Sequence, residues 1–71
     1  MNVNAVIRGV VPFEVNDSHY FTIYFTHDSD PDNVMDARLP GNAIYPQPHV
    51  NDHIRVHYVL GVPTRIEHLG S

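Results

Sequence analysis

The residues most able to do chemistry in this sequence are three aspartates at alternate positions. Asp28, Asp30 and Asp32 lie in the stretch FTHDSDPDN, and oxygen ligands at alternate positions are what calcium loops of the EF-hand type use. Such a loop also needs glycine at its sixth position and glutamate at its twelfth. Counted from Asp28, these positions hold Asn33 and Leu39. Leucine supplies no oxygen, so we predict that residues 28–33, the aspartate loop, form a solvated hairpin tip with loose divalent-cation affinity at most.

Three histidines recur every four residues: His49, His53 and His57. On a helix this spacing would place them on one face, where two histidines and a third ligand make a zinc site. The residues between them alternate with period two, however, and Pro46 and Pro48 interrupt any helix. On a strand His53 and His57 would lie about 13 Å apart, at ~3.3 Å per residue. One ion cannot bridge that distance, so we predict outward-facing histidines, no metal site and no cofactor.

The sequence contains no recognisable catalytic set. Nucleophilic catalysis needs a nucleophile, a base and an orienting partner held together. The chain has no cysteine, and its serines, Ser18, Ser29 and Ser71, fall in turns or at the terminus. His27 and Asp28 are adjacent in sequence, but neighbours on a strand point to opposite faces. We therefore predict a protein that is not an enzyme.

Composition sets the class of protein. A chain of 71 residues is one domain, and its apolar fraction of 42% favours a folded β domain over a disordered segment. Four arginines, no lysine and a net charge of −4 give the wrong overall sign for a free-standing binder of phosphate backbones. No stretch resembles a signal peptide or approaches the ~20 apolar residues of a membrane helix. The sequence therefore predicts a cytoplasmic protein that does not bind membranes.

The elements that position these residues are short strands. Apolar and polar residues alternate with period two along most of the chain. The first segment, VNAVIRGVVPFEV, is more continuously apolar and predicts a long strand that bends at Gly9 and ends near Pro12. Prolines after the third strand exclude a long helix, and Gly61 marks a tight turn. We predict an all-β fold over residues 1–71, a small five-stranded antiparallel barrel with little or no helix. The predicted inward residues are Ile7, Phe21, Ile23, Phe25, Ala37, Leu39, Ile54, Val56, Tyr58 and Ile66.

One segment resembles a known fold family. NDHIRVHYVLG, residues 51–61, is similar to the GD-x-V-x-V-x-Y start of the fourth strand in OB-fold barrels. Five strands with an early glycine bend in the first also look like that fold. Two features depart from it: Asn51 replaces the usual glycine, and the preceding segment is too rich in proline for the helix that plugs such barrels. An SH3-like barrel is the alternative.

The resemblance also implies a binding surface. In OB folds the second and third strands form the common ligand surface. Carried over by position, this surface includes Asp36 and five predicted binding residues: Arg8, Tyr20, Thr22, Tyr24 and Arg38. A secondary surface on the fourth strand is formed by His53, Arg55 and His57.

Two kinds of partner fit an outward face of tyrosine and arginine. Protein interfaces use these residues as anchors, and proteins that bind single strands use them to stack bases and meet phosphates. Strand surfaces also favour tyrosine and threonine without any ligand. Because the chain is acidic, we predict a protein-interaction module or accessory subunit whose partner is another protein or a second copy. The alternative is an OB-like protein that binds single-stranded nucleic acid.

Overall fold

The computed structural model describes residues 1–70, which form five β-strands and one short 3₁₀ helix. The strands are β1 (Asn2–Val15), β2 (Ser18–His27), β3 (Val34–Pro40), β4 (His53–Val59) and β5 (Val62–His68). The 3₁₀ helix, Gly41–Ala43, follows β3. The prediction of an all-β fold with five antiparallel strands is therefore confirmed. Within residues 1–70 no helix is long and apolar enough to cross a membrane.

The strands form one sheet in the order β3-β2-β1-β4-β5, and every neighbouring pair is antiparallel. The two end strands approach each other, with Cα atoms of β3 and β5 within 8 Å, but they do not pair. After β3, Ile44 makes an isolated parallel bridge to Ile66 of β5. The sheet is thus barrel-like but open along the seam between β3 and β5.

The core lies on the inner face of the curled sheet. Nine of the ten residues predicted to face inward are buried, and the tenth, Phe21, is partly buried against them. Ala5 and Ile44 complete the buried core and were not predicted. The alternation of apolar and polar residues along β2 and β4 predicts burial correctly because each strand has one face against the core and one against solvent.

The first strand bends where the sequence predicts but does not end there. The β1–β2 register shifts between Ile7 and Gly9, which is a β-bulge. β1 then continues past Pro12 to Val15, so the predicted end near Pro12 is wrong. Because β4 pairs with β1 only over Asn2–Val6, Pro12 lies where β1 has a single neighbour, and proline is tolerated on such an edge.

Both two-residue hairpin turns use positive φ at both positions, as type I′ turns require. Asn16 and Asp17 join β1 to β2 with φ of 51° and 68°. Leu60 and Gly61 join β4 to β5 with φ of 52° and 77°, which confirms the tight turn expected at Gly61. Asparagine, aspartate and glycine suit this backbone, whereas leucine does not. Leu60 is also 99% exposed, so no packing explains its presence there.

Candidate functional site

The outer face of β1–β2–β3 carries the predicted binding residues. Tyr20, Thr22 and Tyr24 alternate along β2 with the buried core residues, so they point away from the core. On β3, Arg38 is the cross-strand partner of Thr22, and Asp36 is the partner of Tyr24. Since cross-strand partners share a face, these five residues lie on one surface.

A residue that sequence reasoning missed, Phe13, completes this surface. Phe13 pairs with Tyr20 across β1 and β2, and the two rings stack with centroids 5.5 Å apart and planes 17° from parallel. The strand was predicted to end near Pro12, and uninterrupted alternation from Ile7 would have turned the side chain of Phe13 inward. The bulge reverses that alternation. A glycine bend interpreted as a bulge is the signal that could have identified Phe13.

An apolar depression lies beside the stacked pair. It is lined by Val11, Phe13, Thr22 and Arg38. Val11 is the β1 partner of Thr22 and is 49% exposed, although it is aliphatic. We name the set Val11, Phe13, Tyr20, Tyr24 and Arg38 the platform.

Gly9 provides the space for the ring of Tyr24. The two residues are cross-strand partners, and a Cβ atom at position 9 would lie 3.2 Å from Cδ2 of Tyr24. That distance is shorter than ordinary van der Waals contact. The ring therefore lies over the bare glycine backbone while Tyr24 remains 41% exposed. A side chain held in this way loses little conformational freedom when a ligand covers it.

Arg8 lies at the bulge and is tied to the sheet. Its Nε donates a hydrogen bond of 3.0 Å to Oγ1 of Thr26, which is 2% exposed. Arg8 thus satisfies a buried hydroxyl on β2, two residues beyond Tyr24. Neither arginine makes an ion pair within residues 1–70, but Arg38, unlike Arg8, makes no side-chain hydrogen bond there either. Of these two arginines, Arg38 is the one free to meet a ligand.

The predicted secondary surface on β4 is a network of polar side chains. Glu67 accepts from His57 at 2.9 Å and lies 3.5 Å from the guanidinium of Arg55. The hydrogen bond from His57, with the charges of His57, Arg55 and Arg65, holds the pKa of Glu67 below its usual value. Arg65 Nη2 also lies 3.3 Å from His57 Nε2. That nitrogen can donate to Glu67 or accept from Arg65, but not both.

This network leaves little of the secondary surface unpaired. Arg55 and His57 are committed to Glu67, whereas His53 is exposed at the end of β4. Over residues 1–70 no group of three His, Cys, Asp or Glu side chains is placed to hold a metal ion. The aspartate loop is exposed and joins two strands, so the flanking helices of an EF-hand are absent there.

A second polar cluster, also missed from the sequence, fixes the proline-rich segment before β4. Tyr45 donates a hydrogen bond of 2.6 Å to Oδ2 of Asp52, and the backbone N–H of His49 donates to the same oxygen at 2.9 Å. Burial and the neighbouring carboxylate raise the pKa of Tyr45, and these two hydrogen bonds lower the pKa of Asp52. Ile7 in turn donates its backbone N–H to the carbonyl of Asp52 at 3.0 Å. The cluster is a structural tie between this segment and β1.

The chain matches no protein-family model, and searches of curated proteins and of solved structures find no relative. Function is therefore inferred from the fold and from the geometry of the outer face.

Proposed function

We propose that the protein is a non-enzymatic binding module that docks a protein partner on the platform. The observation that carries this proposal is the stacked pair of Phe13 and Tyr20 beside an exposed valine and an arginine without an ion pair. Aromatic residues and arginine are the commonest anchors of protein interfaces. Here they are grouped on strands rather than on loops.

The charges of the outer face support a protein partner. The formal charges of Arg38 and Asp36 sum to zero on this face. Arg8 is already hydrogen-bonded to Thr26. A surface that tracks a phosphate backbone needs several free cations, because each neutralised phosphate adds to affinity. A protein interface needs an apolar centre with few charges and a polar rim. The platform fits the second description.

Preorganisation also supports binding. Phe13 and Tyr20 restrain each other by stacking, and the ring of Tyr24 lies over Gly9. Ordering a free side chain at an interface costs about 0.5–1.5 kcal/mol. Aromatic rings that are already ordered before the partner arrives avoid most of that cost.

Single-stranded nucleic acid is the second candidate ligand. The sheet order β3-β2-β1-β4-β5 with an open seam resembles the partly open OB barrel, whose second and third strands bind oligonucleotides. Stacked aromatic rings would also offer a surface to bases. The net charge of −4 weighs against this candidate.

The test begins with capture of the partner from native extract, with and without nuclease treatment. Its affinity is then measured for a variant carrying Tyr20→Ala and Tyr24→Ala. We expect a loss of about 2 kcal/mol or more, roughly thirtyfold in Kd. His53→Ala, an exposed change outside the platform, is the matched control and should bind as the wild type does.

Three outcomes are informative once a cooperative melt has shown that the double variant folds. Weakened binding with little dependence on salt supports a protein partner. Weakened binding that also falls steeply with salt supports nucleic acid. Full affinity in the double variant, or a loss only in His53→Ala, would move the functional surface off the platform.

A further inference from the structure

β3 has a free edge. It is the end strand of the sheet, and within residues 1–70 no strand pairs with its side away from β2. The other end strand, β5, is the poorer template, because the bridge from Ile44 occupies Ile66 and Pro63, its second residue, lacks a backbone donor, whereas the proline of β3, Pro40, is its last residue. An unpaired strand edge is a template for another strand. The sequence of β3 indicates which strand would fit.

The outer side chains of β3 are self-complementary. Its sequence is VMDARLP, with Asp36 and Arg38 exposed on either side of Ala37. When two β3 edges pair antiparallel about Ala37, Asp36 of each copy lies opposite Arg38 of the other. This makes two identical opposite-charge pairs related by a two-fold axis, the arrangement that an isologous dimer requires. Within residues 1–70 neither charge has an ion-pair partner in its own chain.

Asp36 and Arg38 also make the neighbouring pairing registers unfavourable. Pairing centred on Asp36 places the two aspartates opposite each other, and pairing centred on Arg38 does the same to the arginines. A parallel in-register pair stacks like charge on like charge. Like charges directly opposite each other destabilise a pair of strands. Only the antiparallel register centred on Ala37 places Asp36 of each copy opposite Arg38 of the other.

The inner face fits that arrangement too. A register centred on a residue keeps the apolar sides of both sheets on the same surface, because cross-strand partners share a face. Met35 of one copy then lies opposite Leu39 of the other, and both side chains already belong to the packed inner face. At the axis two small Ala37 side chains meet.

We propose that the protein forms a symmetric dimer in which the β3 edges of two copies pair antiparallel about Ala37. The two five-stranded sheets become continuous, with reciprocal pairs between Asp36 and Arg38. The dimer is inferred from the β3 edge and not from the proposed function, but the two share Arg38, which belongs to the platform and pairs with Asp36 of the other copy in the dimer. The dimer places both platforms on the same side of one sheet.

Charge reversal gives a sharp test because both side chains are exposed. The mass of the protein in solution is measured by sedimentation equilibrium over a micromolar to millimolar concentration series. Asp36→Arg makes both outer positions basic, and Arg38→Asp makes both acidic, so each variant opposes like charges across the axis. We expect each single variant to weaken the dimer roughly tenfold or more.

Two rescue experiments separate register-specific pairing from general charge effects. The double variant with Asp36→Arg and Arg38→Asp restores opposite charges and should dimerise as the wild type does. Mixing the two single variants should form a one-to-one heterodimer, since each then faces its complement. Arg65→Asp on β5 is the control and should leave the dimer intact, because it alters charge away from the β3 edge.

Each contrary result would overturn the proposal. A wild-type chain that stays monomeric at millimolar concentration removes the dimer altogether. A dimer that persists unchanged in both single variants lies on another surface. Single variants that are not rescued by the double change, while their melts remain cooperative, exclude the register centred on Ala37.

Discussion

Replacing Leu60 by asparagine should stabilise the protein, although leucine is the more apolar residue. Leu60 has φ of 52° at the first position of the β4–β5 turn, where an L-residue with a bulky side chain is strained. Its side chain is 99% exposed, so the replacement removes no packing. Asparagine visits this left-handed region routinely and is the preferred residue before glycine in type I′ turns.

The size of the effect follows from these two observations. The left-handed conformation costs an ordinary residue roughly 1–2 kcal/mol, most of which asparagine avoids. With no burial term to offset it, Leu60→Asn should raise the free energy of unfolding by about 1 kcal/mol. For a domain of this size that corresponds to a rise in Tm of roughly 4–8 °C. Leu60→Val should act in the opposite direction, because a β-branched residue fits positive φ worse than leucine does.

Thermal and urea unfolding of the three proteins provide the measurement. Val50→Asn is the matched control, since Val50 is an exposed turn residue, 51% accessible, whose φ is not positive. It should leave Tm almost unchanged. Equal stabilisation by Val50→Asn would mean that removing an exposed apolar side chain, rather than relieving the backbone, produces the gain. No gain in Leu60→Asn would refute the strain at Leu60.

Three further outcomes are expected. Val56→Asp should unfold the domain because it forces a charge into the core, whereas Val59→Asp, on the exposed side of the same strand, should keep a cooperative melt by circular dichroism. Asparagine at all three positions of the aspartate loop should preserve the fold, and micromolar calcium should not raise the Tm of the wild type; a calcium-dependent rise that the variant loses would contradict this. Because the pKa of Asp52 is lowered in the folded state, its contribution to stability is fully present above the ordinary aspartate pKa of 3.8 and is lost progressively as pH falls through the lower pKa of the folded state. Tyr45→Phe should therefore lower stability at neutral pH, and its deficit against the wild type in urea titrations should shrink below that pH.

The sequence predicts the core well because burial in this fold follows a local pattern. Ile23 and Phe25 on β2, like Ile54 and Val56 on β4, alternate with polar neighbours, and the fold buries all four. Period-two alternation identifies a face without knowledge of which strands are neighbours. The same alternation places four of the five predicted binding residues on the outer face: Tyr20, Thr22, Tyr24 and Arg38.

Two features were not predicted from the alternation of residues because they depend on contacts between distant segments. Phe13 faces outward only because the bulge shifts the β1–β2 register. Ile44 is buried in a proline-rich segment without periodicity, where a hydrogen bond from Tyr45 to Asp52 and an isolated bridge fix the backbone. Gly9 signals a bend in the sequence, but only the β1–β2 register shows that the bend reverses the alternation of side chains. The hydrogen bond between Tyr45 and Asp52 leaves no pattern in neighbouring residues.

The central position of β1 has a consequence for how the chain folds. The second half of β1 pairs with β2 across a two-residue turn, whereas the first half pairs with β4, for example Val3 with Val56. The entropy cost of closing a loop grows with its length, so the local β1–β2–β3 meander and the β4–β5 hairpin can form before the long-range ladder between them. We expect that ladder to limit the folding rate, as in other β proteins dominated by non-local pairing. Changes along Asn2–Val6 should therefore slow folding, whereas changes at the turn of Leu60 should act mainly on other steps.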